Sequence, residues 1–266
     1  MSPTVELPRD LRQVLDAART IDRRDACLQC RSRARTICAP VPAAAIDRLA
    51  RLKLPPRRVP AGDQVYAEGA PCDEYFTVLQ GWVALTTVHE DGGGVVLDYA
   101  LPGDFFGFQG NSEGPRAQSA IAITPARLCP LPRQGVETLL QTDPLVSAHL
   151  AHLVAVHEAR AHDHLVNSTA RGARERVAHL LIELYFRQNH CLPHRPNEII
   201  DLPLTLALIG ETIGLTAVHV SRMLRRLREE GVIRFRRGKL EICDPYGLIG
   251  ASGVEARPLA DETTHQ

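Results

Sequence analysis

The chain has 266 residues, enough for two domains with a core in each, and 44% hydrophobic and 23% charged residues mark it as folded, not disordered. Basic and acidic residues balance at 31 each, so net charge points to neither nucleic acid nor a membrane surface. No apolar run approaches the roughly 18 residues of a membrane helix, and the opening "MSPTVELPRDLRQ" lacks a signal peptide's apolar stretch. A cytoplasmic protein with no membrane partner and with reduced thiols is expected.

Residues 1–40 form an arginine-rich segment carrying "CLQCRSRARTIC" (27–38), a C-x2-C-x7-C spacing. Reduced thiols argue against a disulfide. A zinc site and an iron–sulfur site remain equally open on the residues alone, since both accept thiolate ligands. Ordinary buried thiols are the bland alternative. Cys72, Cys191 and Cys243 have no partners at ligand spacing and are expected to be small core residues.

Residues 41–143 turn to short β-type runs such as "EYFTVLQGWVALTTV" and "AQSAIAITPARLCPL", with glycine and proline between them. Period-two alternation with turn signals this frequent predicts a compact antiparallel roll or barrel. A metalloenzyme on such a roll needs two or three strand histidines, and His89 is the only histidine between 41 and 135. An enzyme is not expected.

Residues 144–167 switch to helical periodicity without internal proline or glycine. Val146, Leu150, Leu153, Val154, His157, Ala161, His164 and Leu165 recur at spacing three or four, the pattern of a dimerisation helix. Five histidines lie between 149 and 164. His157 and His164, seven apart, stand where they could meet symmetry mates, though partly exposed helix histidines are the simpler reading.

Residues 168–250 read as a helical domain closed by a β-hairpin, followed by a flexible tail over 251–266. "TLALIGETIGLTAVHVSRMLRRLREEGVI" predicts two helices, with Thr205 and Thr216 as N-caps and Gly214 as the left-handed residue ending the first. "IRFRRGKLEICD" predicts two strands turned at Gly238. Helix, turn, helix and hairpin make a winged helix-turn-helix. With Val220, Met223, Leu224 and Leu227 inward, the residues left facing out are Val218, His219, Ser221, Arg222, Arg225 and Arg226. Residues 217–241 hold seven arginines and Lys239 against three glutamates, a local charge of +5. Arg222 suits a guanine edge, which offers two acceptors. Arg225, Arg226, Arg236, Arg237 and Lys239 suit phosphates.

"IGETIGLTAVHVSRMLRRLREEGVI", the upstream "LPGDFFG" and the long helix between them resemble the Crp/Fnr transcription regulators. The resemblance spans roughly residues 20–245. It implies an α+β fold with an N-terminal cyclic-nucleotide-binding-like β-roll, a long dimerisation helix and a C-terminal winged helix-turn-helix. It also implies a homodimer placing two recognition helices on palindromic DNA. In the Fnr branch a Glu-x-x-Ser-Arg pattern reads the half-site TTGAT. Ser221 and Arg222 match it, and Val218 stands at the glutamate position. Family members that bind cyclic AMP use an arginine–serine pair and a glutamate, whose places here are Gln118–Ser119 and Phe108, so no cyclic nucleotide is expected. The oxygen-sensing Fnr group has an N-terminal cysteine triplet and a fourth cysteine at the end of the roll. The resemblance therefore implies a [4Fe-4S] cluster on Cys27, Cys30, Cys38 and Cys129, with Arg31, Arg33 and Arg35 offsetting its charge. The loop "HEDGGGV" (89–95) lies where relatives touch RNA polymerase.

Overall fold

The structure is a computed structural model, and it describes residues 26–88, 94–111 and 113–254. Residues 1–25, most of the 89–95 loop including His89, and residues 255–266 lie outside the described residues.

After a short helix α1 (Ile46–Leu52), eight strands form the roll: β1 (Arg57–Val59), β2 (Gln64–Tyr66), β3 (Glu74–Gln80), β4 (Val83–Val88), β5 (Gly94–Ala100), β6 (Phe105–Phe106), β7 (Ser119–Ala122) and β8 (Ala126–Pro132). They build two antiparallel four-stranded sheets, ordered β1-β8-β3-β6 and β2-β7-β4-β5. Phe76, Val78, Val83, Leu85, Phe106 and Leu128 are among the residues of both sheets that share one apolar interior. Strand β3 is buried on both faces. Phe76 and Val78 point into the roll, whereas Tyr75 and Leu79 pack under the cysteine-bearing segment and α1.

Helix α2 (Arg133–Thr142) leads into the long α3 (Pro144–Ala170), three residues longer than its sequence pattern. Asp143 caps α3 by accepting from the backbone of Leu145 and Val146, and Pro144 occupies the first turn, where its missing N–H costs nothing. The expected seam divides between two faces. Val146, Leu150 and Leu153 pack on the roll with the cysteine segment. His164 bonds Glu183 of the next helix at 2.7 Å, so it is engaged within its own chain, and His157 is half-buried near Asp98, Asp104 and Arg160. Val154 and Leu165, three turns apart on one face, stay exposed, whereas the exposed Leu145 and Val166 lie on other sides of the helix. Helix periodicity cannot tell which apolar residues face the own chain when a helix has apolar residues on two sides.

The last domain comprises α4 (Ala173–Asn189), β9 (Glu198–Asp201), α5 (Leu206–Ile213), α6 (Ala217–Glu229), β10 (Ile233–Arg236), β11 (Lys239–Ile242) and α7 (Pro245–Ser252), which takes in the first residues assigned to the tail. Its three strands form a sheet ordered β10-β11-β9. Its core continues into the roll through Trp82, Ala84, Val96, Tyr99 and Leu101. The Tyr99 hydroxyl reaches the Leu208 carbonyl at 3.2 Å and Thr212 Oγ1 at 2.7 Å, tying β5 to α5.

A buried ion network crosses the same junction. Arg187 of α4 donates to Asp98 Oδ1 and to Asp104 Oδ2, each at 2.7 Å, and to the Tyr99 carbonyl. Arg160 of α3 stands 3.7 Å from the other oxygen of Asp98. Burial alone would raise the Asp98 carboxyl, and the Arg187 and Arg160 charges more than reverse it, holding the group below the usual range. Roll, long helix and final domain are therefore pinned at one point.

Candidate nucleic-acid interface and thiol pocket

Helices α5 and α6 take their termini from local chemistry. The Thr205 hydroxyl accepts from Leu208 N and that of Thr216 from His219 N, while Gly214 ends α5 at φ 67°. Val220, Leu224 and Leu227 are buried and Met223 packs against them, which fixes the rotation of α6. Val218, His219, Ser221, Arg222, Arg225 and Arg226 consequently all face solvent, with Val218 62% exposed. Arg225 stands 3.7 Å from Glu229 one turn on, an exposed pair.

The hairpin β10–β11 turns at Arg237 and Gly238, with φ 50° and 71°, a two-residue turn whose left-handed positions match strand twist. It presents exposed Arg236 and Arg237 beside the recognition face. Lys239 is engaged with Asp201 at 2.9 Å, and Arg234 with Glu241 at 2.9 Å. Arg236 and Arg237 are thus the better phosphate donors of the wing, and Lys239 is partly spent within the sheet.

At the other end of the chain Cys27, Cys30, Cys38 and Cys129 line one small pocket with Arg33, Thr36, Lys53 and Thr77. Three come from the looped segment 27–38. Cys129 comes from β8, opposite Thr77 of β3. Thr36 and Thr77 hydroxyls bond at 2.6 Å, and Ser32 donates to the Val78 carbonyl at 3.4 Å, stapling the loop across the sheet. Cys27, Cys38 and Cys129 are buried and Cys30 partly so. Burial pushes the Cys38 thiol up, opposed by Lys53, and pushes Cys129 up to about 11. The cavity is about 10 Å³, room for one water at most. Among the described residues no three of His, Cys, Asp or Glu stand at the spacing of one bound ion.

Of the spacer arginines, only Arg33 lines the pocket, donating to the Val41 carbonyl. Arg35 reaches away to His190 Nε2, at 2.7 Å, at the end of α4, and Arg31 is exposed. The cation that sequence reasoning passed over is Lys53. Cys72 is buried as expected, but Cys191 is exposed because it falls in the loop just past α4.

Residues 56–143 match the cyclic nucleotide-binding domain family and residues 175–250 the Crp-like helix-turn-helix domain family. The transcriptional activator protein FnrL of Cereibacter sphaeroides is 30% identical over 78% of this chain and 83% of its own length. This chain belongs to the Crp/Fnr family. The nitrogen fixation regulation protein FixK of Bradyrhizobium diazoefficiens is 28% identical over 82% of this chain and 90% of its own length. Among solved structures, FixK2 from Bradyrhizobium japonicum superposes with a TM-score of 0.68 at 26% identity, covering 76% of this chain and 98% of that one.

The α+β Crp/Fnr architecture of roll, long helix and helix-turn-helix is the expected one. Its members are DNA-binding transcription regulators that act as dimers, and its relatives and structural neighbours here are regulators, not enzymes. Among the described residues no helix is long and apolar enough to cross a membrane.

Inside the roll, Tyr66, Phe76 and Phe106 stack on one another. Arg116 lies over Tyr66, 4.0 Å from the ring centre, and donates to the carbonyls of Gly107 (2.8 Å) and Glu74. Ser119 accepts from Glu68 N at 2.9 Å, and Phe108 lies against Tyr75 at 5.4 Å.

Proposed function

We propose that this Crp/Fnr chain is a cytoplasmic regulator of anaerobic or microaerobic gene expression that senses oxygen through a [4Fe-4S] cluster on Cys27, Cys30, Cys38 and Cys129. The observation that carries the reading is the meeting of four thiols, 91 positions apart between Cys38 and Cys129, in one buried pocket with no other ligand type. That donor set fits an iron–sulfur group. The cavity is small, so loading spreads the 27–38 loop. Such a group supplies an oxygen-labile, redox-active centre.

This chain's own residues carry the consequence. His149 of α3 bonds the Thr36 carbonyl at 3.2 Å and His190 bonds Arg35, so a shift of the loop reaches both the long helix and the DNA-binding domain. The outward face of α3 that carries Val154 and Leu165 serves as the dimer seam. Each protomer then offers α6 to a major groove on a palindrome, about 34 Å from its mate. Arg222 reads guanine, Ser221 a neighbouring base, and Val218 offers only apolar contact, as to a thymine methyl. No cyclic nucleotide is bound: Arg116 is committed to two carbonyls and the Tyr66 ring, and Phe108 replaces the ribose carboxylate. Loop 89–95 is the contact for RNA polymerase, by family analogy.

Anaerobic purification followed by an absorption spectrum and iron and sulfide analysis tests the reading. A broad band near about 400 nm that bleaches in air, and is lost in Cys27→Ala and Cys129→Ala, is the expected result. A colourless protein, holding zinc or no metal and binding DNA equally with and without air, leaves a Crp/Fnr regulator without a cluster.

A further inference from the structure

We propose that Lys53 is the charge partner of the thiol-bound metal group, a positioning residue that, with Arg33, neutralises the excess negative charge brought into the pocket. The inference rests on the preceding reading that the four cysteines hold metal.

The sequence already sets Lys53 apart. Of 31 basic residues only Lys53 and Lys239 are lysines, and Lys239 sits on the wing surface paired with Asp201. Nearly every surface cation of this chain is an arginine. Lys53, at the residue that closes α1, is only 8% exposed and lines the same pocket as the four cysteines. Its ammonium bonds the Cys38 sulfur and lies close enough to Cys129 and Cys27 to feel their charge. A buried ammonium is costly unless negative charge faces it.

The charge count closes with metal bound. Four thiolates around a core or ion of charge +2 leave about −2 in a nearly dry pocket, since metal-bound thiols are deprotonated outright. Lys53 and Arg33 bring +2 to the same lining, so the loaded pocket is close to neutral. The side chains divide the work. Arg33 is held by the Val41 carbonyl, so its fork is fixed by the loop itself. Lys53 is a compact ammonium on a flexible stem with three rotatable donors, able to follow the sulfurs as the loop spreads. A guanidinium has no such freedom in a cavity of about 10 Å³.

The test compares the full chain as wild type, Lys53→Met and Lys53→Arg, purified without oxygen, for iron, sulfide and zinc per chain, reduction potential and rate of bleaching in air. Lys53→Met is expected to fold, since it places an apolar chain of similar length in an apolar wall. Its metal affinity should fall about 10–100-fold, the usual effect of losing a group that supports the ligands. The metal it retains should show a lower reduction potential and faster bleaching, because an added electron loses its nearest positive charge. Lys53→Arg should restore the potential more than the affinity. Lys53→Met with the metal content, potential and bleaching rate of a loaded wild type overturns the charge-partner role alone. A wild type that takes up neither iron nor zinc overturns both the role and the metal reading. A wild type that holds zinc decides the matter through zinc retention in the same variants, and there a drop in Lys53→Met supports the role.

Discussion

Two groups of arginines, in the same chain and only 35 residues apart at Arg187 and Arg222, do opposite work. Arg187 is buried, with Asp98, Asp104 and Glu183 around it, and ties the final domain to the roll, where Asp98 also meets Arg160 of the long helix. Arg222 and its neighbours on α6 and the wing are exposed. The difference is the solvent. In water a guanidinium is comfortable alone and free to meet an incoming phosphate or base edge. In the dry junction it must be matched atom by atom, and once matched it is a bolt. Substitutions at the first site should change folding and leave the reading of bases alone, and those at the second should do the reverse.

The largest effect is expected for Arg187→Met. Removing it leaves three carboxylates crowded at the junction, and breaking a buried pair from one side costs about 3–5 kcal/mol. Chemical denaturation should show a loss of that size. The fraction that remains folded should keep its preference among DNA sequences, and a relaxed preference would break the division drawn above.

Next comes a pH effect at the same junction. Burial works to lower the His164 imidazole, but the Glu183 carboxylate and its hydrogen bond win and hold it at about 9, above its ordinary 6.5. Asp98 adds to the rise and Arg187 opposes it. A raised value means that the stabilisation is complete below pH 6.5 and disappears as pH climbs towards about 9. Melting temperature should therefore fall across that window, and His164→Gln should flatten the fall. An unchanged profile in the variant would place the titration elsewhere.

The two arginine groups also differ in how far sequence reveals them. The helix-turn-helix obeys local rules. Thr205, Gly214 and Thr216 announce their roles through residue type and spacing, and Val220, Leu224 and Leu227 set the rotation of α6, so its outward face follows within a few residues. Arg187 obeys none. Only Glu183, one helical turn back, stands at a readable spacing; Asp98 and Asp104 are 89 and 83 residues away, and no periodicity links them to it. The thiol pocket is intermediate. C-x2-C-x7-C is visible at once, but only family resemblance joined Cys129 to it, and Lys53 enters because α1 happens to end beneath the loop. Arg35 turns to His190 and Arg31 to solvent, while Arg33 lines the thiols, because neighbours in the twelve-residue segment 27–38 need not point the same way. The apolar stripe of α3 is divided for a related reason, since the roll and the final domain cover one of its sides and leave Val154 and Leu165 exposed.

The smallest effects lie on the recognition face, and they separate two kinds of contact. Arg222→Ala should leave the melting temperature unchanged, because the side chain is exposed and touches no core. Loss of a two-pronged bond to guanine should weaken binding by about 1–3 kcal/mol and relax the preference at one base pair. Arg236→Ala should weaken binding to all sequences alike and lower the slope of log affinity against log salt by about one, because a phosphate contact releases a counterion and carries no sequence information. Titrations of a set of half-site variants at three salt concentrations distinguish these outcomes. If Arg236→Ala changes sequence preference, the wing reads bases as well as α6. If Arg222→Ala changes only the salt slope, the helix sits higher in the groove than its exposed face suggests, and Val218 is then too far from a thymine methyl to read it.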